Sequence, residues 1–169
     1  MRFNGIKLAG LAVALVGVSA KDAVADDVTI TTDTTTPLAT SSPDGVSPGD
    51  VTIDANGSIT IAAGETAVTV DSDNVVTNAG NILSEDANDT TGILLLDGFA
   101  GSITNSGAIR LTEDYDRADA DNDGDLDGDF AQGSNRTGIW LQSGTFTGDI
   151  VSSGGIEIEG QDSAGVRLD

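Results

Sequence analysis

Apolar and polar residues alternate in short segments from Val51 onward, and the segments recur as a two-part repeat. The first part is an aliphatic residue, three further residues, a glycine, one residue and an isoleucine; it occurs at 53–59, 76–82, 103–109 and 150–156. The second part is a small residue followed by two aliphatic residues with one position between them; it occurs within 67–70, 92–95, 138–141 and 165–168. Alternation with a period of two predicts short strands that bury one face.

The spacing of the repeat predicts how these strands are arranged. The glycines of the first part are 23, 27 and 47 residues apart, at Gly57, Gly80, Gly107 and Gly154. A unit of about 23–27 residues with short strands and Gly or Asn turns is typical of one coil of a parallel β-helix. We predict an all-β fold, a right-handed parallel β-helix of about four coils over 51–169. An antiparallel β-sandwich is the alternative, which the regular period disfavours.

Stacked coils bring equivalent positions together, and this has two consequences. Asn78, Asn105 and Ser152 share one repeat position, so we expect them to form a polar ladder. The repeat stops partway through a coil at Asp169, and an open solenoid end would expose its core. We therefore expect the chain to be the N-terminal part of a longer protein, or an orphaned fragment of one.

One repeat is about 20 residues longer than the others, and the additional residues lie between Ile109 and Gly138. We place this insertion at about 111–132. Nine of the 17 residues from Glu113 to Asp129 are acidic. Insertions in repeat proteins form loops on one face, commonly the functional face.

The insertion carries aspartates at every second position, which is the pattern of a calcium-binding loop. The predicted metal ligands are Asp119, Asp121, Asp123, Asp125, Asp127 and Asp129. In a numbering like that of an EF-hand loop, the first three occupy positions 1, 3 and 5, and Gly124 permits the turn at position 6.

The same numbering leaves position 12 without the acidic residue that usually completes the shell of calcium ligands. Phe130 stands there, and Asp129, Asp114 or Asp116 could supply the missing carboxylate. Thrombospondin-type calcium repeats resemble this spacing and also lack flanking helices. We predict Ca²⁺ as the cofactor, and a solvated acidic loop without an ion is the alternative.

The ends of the chain differ in composition from the repeats. Residues 1–25 combine Arg2 and Lys7 with a short apolar run and a small-residue cleavage signal at 23–25, which predicts a secretory signal peptide. Residues 26–50 are rich in Thr, Ser, Asp and Pro, which predicts an extended lead-in, partly disordered.

Charge and composition exclude several functions. The net charge of −21 repels nucleic acid and anionic lipid and attracts divalent cations. The sequence has no Cys and no His, which excludes disulfides, His-dependent nucleophilic catalysis and His-ligated zinc. We expect no enzymatic activity. The alternative is a polysaccharide lyase or hydrolase that recruits Arg110, Arg136 and Arg167 beside calcium.

The chain has one tryptophan, Trp140, which alternates with Ile139 and Leu141 and should point outward beside the insertion. There it could stack on a sugar or on a protein partner. An indole packed beneath the acidic loop is the competing interpretation.

A signal peptide followed by β-helix coils with an Asn-Ser-Gly-Ala-Ile type of repeat resembles the passenger region of bacterial autotransporters. The stretch Asp-Gly-Asp-Leu-Asp-Gly-Asp-Phe-Ala-Gln-Gly-Ser-Asn-Arg-Thr-Gly-Ile at 123–139 is similar to segments in alphaproteobacterial passengers. The resemblance covers about 1–25 and 51–169. It implies a C-terminal membrane barrel that carries the passenger to the cell surface, and membrane association only through that barrel, which this sequence lacks.

These observations together predict an exported, surface-exposed structural or adhesive passenger with a calcium-ordered loop. Its partner would be a surface, a matrix or a glycan, and it would be located at the cell surface or outside the cell, or in the periplasm if no barrel follows. A secreted polysaccharide-active enzyme and a truncated, inactive fragment of an autotransporter are the alternatives.

Overall fold

The computed structural model describes residues 26–169, and the predicted signal peptide at 1–25 lies outside these residues. The described chain forms fifteen short strands. In chain order they are β1 (Val28–Ile30), β2 (Asp33–Thr34), β3 (Leu38–Ala39), β4 (Val51–Ile53), β5 (Ser58–Thr60), β6 (Thr66–Val70), β7 (Val76–Asn78), β8 (Asn81–Glu85), β9 (Thr91–Leu95), β10 (Ile103–Asn105), β11 (Ala108–Thr112), β12 (Thr137–Leu141), β13 (Ile150–Ser152), β14 (Gly155–Ile158) and β15 (Ala164–Leu168). No helix long and apolar enough to cross a membrane occurs within 26–169.

Every third strand pairs with its equivalent in the next turn, so the strands form three parallel five-stranded sheets. Sheet A has the order β1-β4-β7-β10-β13, sheet B β2-β5-β8-β11-β14 and sheet C β3-β6-β9-β12-β15. Each turn of the chain contributes one strand to each sheet, which makes a β-solenoid of five turns. The predicted all-β, parallel β-helix architecture is confirmed.

The solenoid has one turn more than the predicted four, because it begins before Val51. Val28 pairs with Val51, Asp33 with Ser58 and Leu38 with Val68, so β1, β2 and β3 form a complete first turn within 26–50. This region was expected to be an extended lead-in. Its strands have only two or three residues, too few to show an alternating pattern in the sequence.

The core is a set of aliphatic rows that run through the solenoid from turn to turn. In sheet B, Ile59, Ile82 and Ile109 stack in register and are each 0% exposed. In sheet C, Ile93 and Ile139 stack in the same way and are equally buried. Each rung therefore buries the same kind of side chain as the rung before it, which explains the repeat in the sequence.

The repeated glycines are required by the close approach of successive turns. A Cβ atom at Gly80, Gly107 or Gly154 would overlap the carbonyl oxygen of the equivalent glycine one turn earlier. Ser106 N–H and Gly107 N–H both donate to the Asn78 carbonyl, which holds the backbones at this distance. Only glycine leaves enough room here.

The predicted polar ladder is present inside sheet A. Asn78 Nδ2 donates to Asn105 Oδ1 at 2.8 Å, and Asn105 Nδ2 donates to Ser152 Oγ at 3.0 Å. Both asparagines are 0% exposed. Because a buried amide without partners is costly, the ladder fixes the register between these turns.

Candidate metal site

The acidic insertion leaves the solenoid at the corner between sheets B and C. β11 ends at Thr112 and β12 begins at Thr137, so 24 residues, 113–136, connect them. The same corner takes five residues in the second, third and fifth turns, at 61–65, 86–90 and 159–163. The insertion was predicted at about 111–132. Its observed start is later because Leu111 and Thr112 still pair with β8.

A buried ion pair closes the base of this insertion. Arg136 Nη1 lies 3.3 Å from Glu113 Oε2, and the side chains of the two residues are 1% and 6% exposed. Arg136 Nε also donates to the Ala87 carbonyl at 2.8 Å, and its Nη1 donates to the Glu159 carbonyl at 2.7 Å. The arginine therefore connects both ends of the insertion to the turns on either side of it.

Glu113 completes the closure with backbone hydrogen bonds. Its carboxylate accepts hydrogen bonds from Gln132 N–H at 3.0 Å and from Gly133 N–H. Burial of the carboxyl acts to raise the pKa of Glu113, but these two N–H donors and the Arg136 guanidinium together outweigh it. The pKa of Glu113 consequently lies below its usual value. Glu113 is thus held as a carboxylate at the base of the loop.

Aspartate side chains organise the tip of the insertion by accepting backbone hydrogen bonds. Asp127 Oδ2 accepts from Ala120 N–H at 2.7 Å, and Asp119 Oδ2 accepts from Gly124 N–H at 3.1 Å. Asp127 N–H donates to the Ala118 carbonyl at 3.0 Å, which closes the tip. Gly124 has a φ of +100°, so the turn expected at this glycine does use the backbone freedom that glycine provides.

Three of the six predicted ligands converge at this tip. Asp119, Asp121 and Asp127 each offer a carboxylate oxygen, and these oxygens all lie within 4.8 Å of one another. In the part of the chain that the structure describes, no other three acidic side chains come as close together. Three convergent hard oxygens with net negative charge are the donor set that Ca²⁺ prefers.

One carboxylate oxygen of Asp119 supports occupancy by a cation. Asp119 Oδ1 is buried and accepts no hydrogen bond within the described chain. A buried carboxylate oxygen without a donor is unfavourable, and a bound cation would satisfy it while also reducing the repulsion among the three carboxylates. The residues present therefore fit a divalent cation, which Asp119, Asp121 and Asp127 would hold.

The other three predicted ligands, Asp123, Asp125 and Asp129, are exposed and lie outside this group. Asp123 Oδ1 instead accepts a hydrogen bond from Asp125 N–H at 3.2 Å. Direct ligation by these three residues stays a prediction.

The apolar positions of the loop also differ from those of an EF-hand loop. Leu126 is 54% exposed and Phe130 is 81% exposed. The Arg117 guanidinium lies 5.6 Å from the centre of the Phe130 ring. Phe130 thus occupies the position where an EF-hand loop has its closing carboxylate. No fourth acidic side chain joins Asp119, Asp121 and Asp127 in the described chain to replace that carboxylate.

The three arginines considered for carbohydrate chemistry lie in three separate sets of contacts. Arg110 pairs with Glu157 at 2.9 Å, with both side chains 54% exposed. Arg136 is buried at the base of the insertion. Arg167 pairs with Asp169 at 2.9 Å and lies over the Trp140 ring at 4.9 Å. The structure does not assemble them into one site.

Sequence reasoning missed the role of Glu113 and Arg136. Arg136 was considered only as a residue that a polysaccharide lyase or hydrolase could recruit or as an exposed arginine paired with Asp, and Glu113 only as the first acid of the run. The available signal was their placement: they are the first and last residues of the segment between β11 and β12. Oppositely charged residues at the two ends of an insertion can form an ion pair that holds those ends together.

Comparison of the chain with protein-family models, with curated proteins and with solved structures gave no match.

Proposed function

We propose that this chain is an exported, surface-exposed structural or adhesive β-solenoid that presents a calcium-ordered loop. The observation that carries the proposal is the convergence of Asp119, Asp121 and Asp127 at the tip of an insertion in an otherwise regular scaffold. Export rests on the signal-peptide pattern of residues 1–25, and the role as a passenger rests on the resemblance to autotransporter passengers.

The scaffold supports a role in presentation because its stability comes from turn-to-turn stacking. Three continuous parallel sheets and buried aliphatic rows make the solenoid a stiff rod to which the insertion is attached at one corner. The Glu113–Arg136 pair fixes the base of the insertion to this rod. A loop held in this way projects its tip away from the scaffold at a defined position.

The chemistry of the tip supports calcium as the ordering ligand. Ca²⁺ takes six to eight oxygen ligands, and three carboxylates supply only part of such a shell. Backbone carbonyls, water or the oxygens of a partner would complete it. Extracellular calcium modules bind with Kd values of about 10⁻⁴–10⁻³ M, which suits a loop with an incomplete set of protein ligands outside the cell.

Calorimetric titration of calcium into the purified chain tests this proposal. We expect one saturable event, which Asp119→Asn weakens by about tenfold or more, because a neutral amide replaces a ligand carboxylate. Asp125→Asn is the matched control, since it removes one charge from the same loop, its carboxylate lies outside the three-aspartate group, and position 7 of an EF-hand-like loop supplies a backbone carbonyl that asparagine retains. No binding heat, or an equal loss in both variants, would reject the calcium site.

A further inference from the structure

A second feature lies on the outer face of sheet C and uses none of the three aspartates of the candidate metal site. A cleft of about 240 Å³ opens beside Trp140 and extends to the corner where the chain enters β9, β12 and β15. Thr91 and Thr137 line it, and Asp89, Asn135 and Asp162 form its rim at the corner. The cleft thus combines one aromatic ring with hydroxyl, amide and carboxylate groups.

The aromatic ring of this cleft is held in a fixed orientation. Trp140 pairs with Leu94 of the preceding turn and Arg167 of the following turn, in the outward-facing row of sheet C. Its Nε1 donates to Asp169 Oδ2 at 2.9 Å, and the Arg167 guanidinium lies 4.9 Å from the ring centre. An outward-facing indole held by two contacts loses little further freedom when a ligand packs against it.

The rim residues occupy equivalent positions in three successive turns. Asp89, Asn135 and Asp162 each lie two residues before the first residue that pairs in sheet C, and their φ values are +57°, +58° and +51°. Asp and Asn are enriched in this left-handed conformation. Since neighbouring strands are about 4.8 Å apart, the rim is a regular ladder of polar side chains along the solenoid axis.

The rim retains hydrogen-bonding capacity for a ligand. Asn135 Nδ2 donates to Asp89 Oδ1 at 2.9 Å, which fixes the ladder between the third and fourth turns. The Asp162 carboxylate is exposed, and none of the hydrogen bonds formed within 26–169 engages it. A carboxylate of this kind accepts hydrogen bonds well from hydroxyl groups.

From this arrangement we infer that the cleft binds a neutral oligosaccharide, with a sugar ring against Trp140 and its hydroxyl groups on the rim. Sugar rings present apolar C–H faces that pack on an indole, and hydroxyl groups at their edges that form hydrogen bonds. The faces match Trp140, and the hydroxyl groups match the polar rim of the cleft. An acidic glycan is disfavoured, because two carboxylates form the rim and the one cation of the cleft, Arg167, is already paired with Asp169.

Intrinsic fluorescence tests the inference directly, because Trp140 is the only tryptophan in the sequence. The full chain is titrated with cello-, manno- and malto-oligosaccharides, and with oligogalacturonate as the anionic comparison. We expect a saturable change with at least one neutral probe, retained in EDTA, which separates this site from the calcium loop. Asp162→Asn should weaken that binding about tenfold, while Asp125→Asn leaves it unchanged.

Calorimetry on Trp140→Ala, checked for retained β structure by circular dichroism, should show loss of binding to the same probe. The inference is overturned by the absence of a response to every neutral probe, by a stronger response to oligogalacturonate, or by equal affinities in Asp162→Asn and the wild type. A response abolished by EDTA would also overturn it, since no residue of the cleft belongs to the three-aspartate group.

Discussion

Arg136 and Glu113 meet at 3.3 Å in a buried ion pair that joins the last and first residues of a 24-residue insertion. The pair lies at the corner between sheets B and C, which five residues cross in the neighbouring turns. It therefore holds the two ends of the insertion together at this corner. The solenoid is thereby continuous at this corner despite the longer loop.

Arg136→Met should destabilise the solenoid by about 3–5 kcal/mol, because it leaves the Glu113 carboxylate buried without its positively charged partner. Chemical denaturation followed by circular dichroism measures the change in the free energy of unfolding. Arg110→Met is the control, since its ion pair with Glu157 is 54% exposed on both sides and should contribute at most about 1 kcal/mol. Equal losses in the two variants would contradict the structural role of the buried pair.

The lowered pKa of Glu113 makes part of the stability depend on pH. Because the folded-state pKa lies below the unfolded value of about 4.3, the contribution is complete above that value. It is lost as the pH falls through the folded-state pKa. The difference in unfolding free energy between the wild type and Glu113→Gln should therefore be largest near neutral pH and shrink in acid. A difference that stays constant or grows in acid would contradict this.

Gly107→Ala should destabilise the chain by roughly 1–3 kcal/mol, because the added Cβ would overlap the Gly80 carbonyl oxygen of the preceding turn. Gly155→Ala is the matched control in the last turn, where a Cβ would meet no atom within 4 Å. That variant should be neutral or slightly stabilising. Thermal unfolding of both proteins would show whether stacking distance explains the repeated glycine.

Expression of the chain with residues 1–25 in a Gram-negative host tests the predicted signal peptide. We expect export and a mature N-terminus near Asp26, because cleavage follows the small residues at 23–25. N-terminal sequencing of the exported protein identifies the cleavage site. Replacement of Leu11 and Leu15 in the apolar run by Asp should abolish export; retention of the uncleaved wild-type chain in the cytoplasm would contradict the prediction.

Most of the fold could be predicted because stacking of the turns restricts the residue type at the same few positions in every turn. Gly80 and Gly107 lie where two backbones approach, and Asn78 and Asn105 lie where a buried amide needs another amide, so both appear as periodic residues in the sequence. The first turn could not be found in this way. By register, Thr32 stands there in place of the repeated glycine.

The metal site could be predicted only in part, because spacing does not determine where a side chain points. Alternation of aspartates suggested six ligands, but only the carboxylates of Asp119, Asp121 and Asp127 converge, and Asp123, Asp125 and Asp129 lie outside this group. Equally, nothing local in the sequence distinguishes buried Arg136 from exposed Arg110. Their difference depends on Glu113, 23 residues away along the chain.

The central claim is that calcium orders the acidic loop through Asp119, Asp121 and Asp127. A crystal structure of the chain grown with calcium tests it most directly. We predict an ion bound by oxygens of these three carboxylates, including Asp119 Oδ1, at about 2.3–2.6 Å. A well-ordered loop with no ion among the three carboxylates at saturating calcium, or an ion held elsewhere on the chain, would contradict the account.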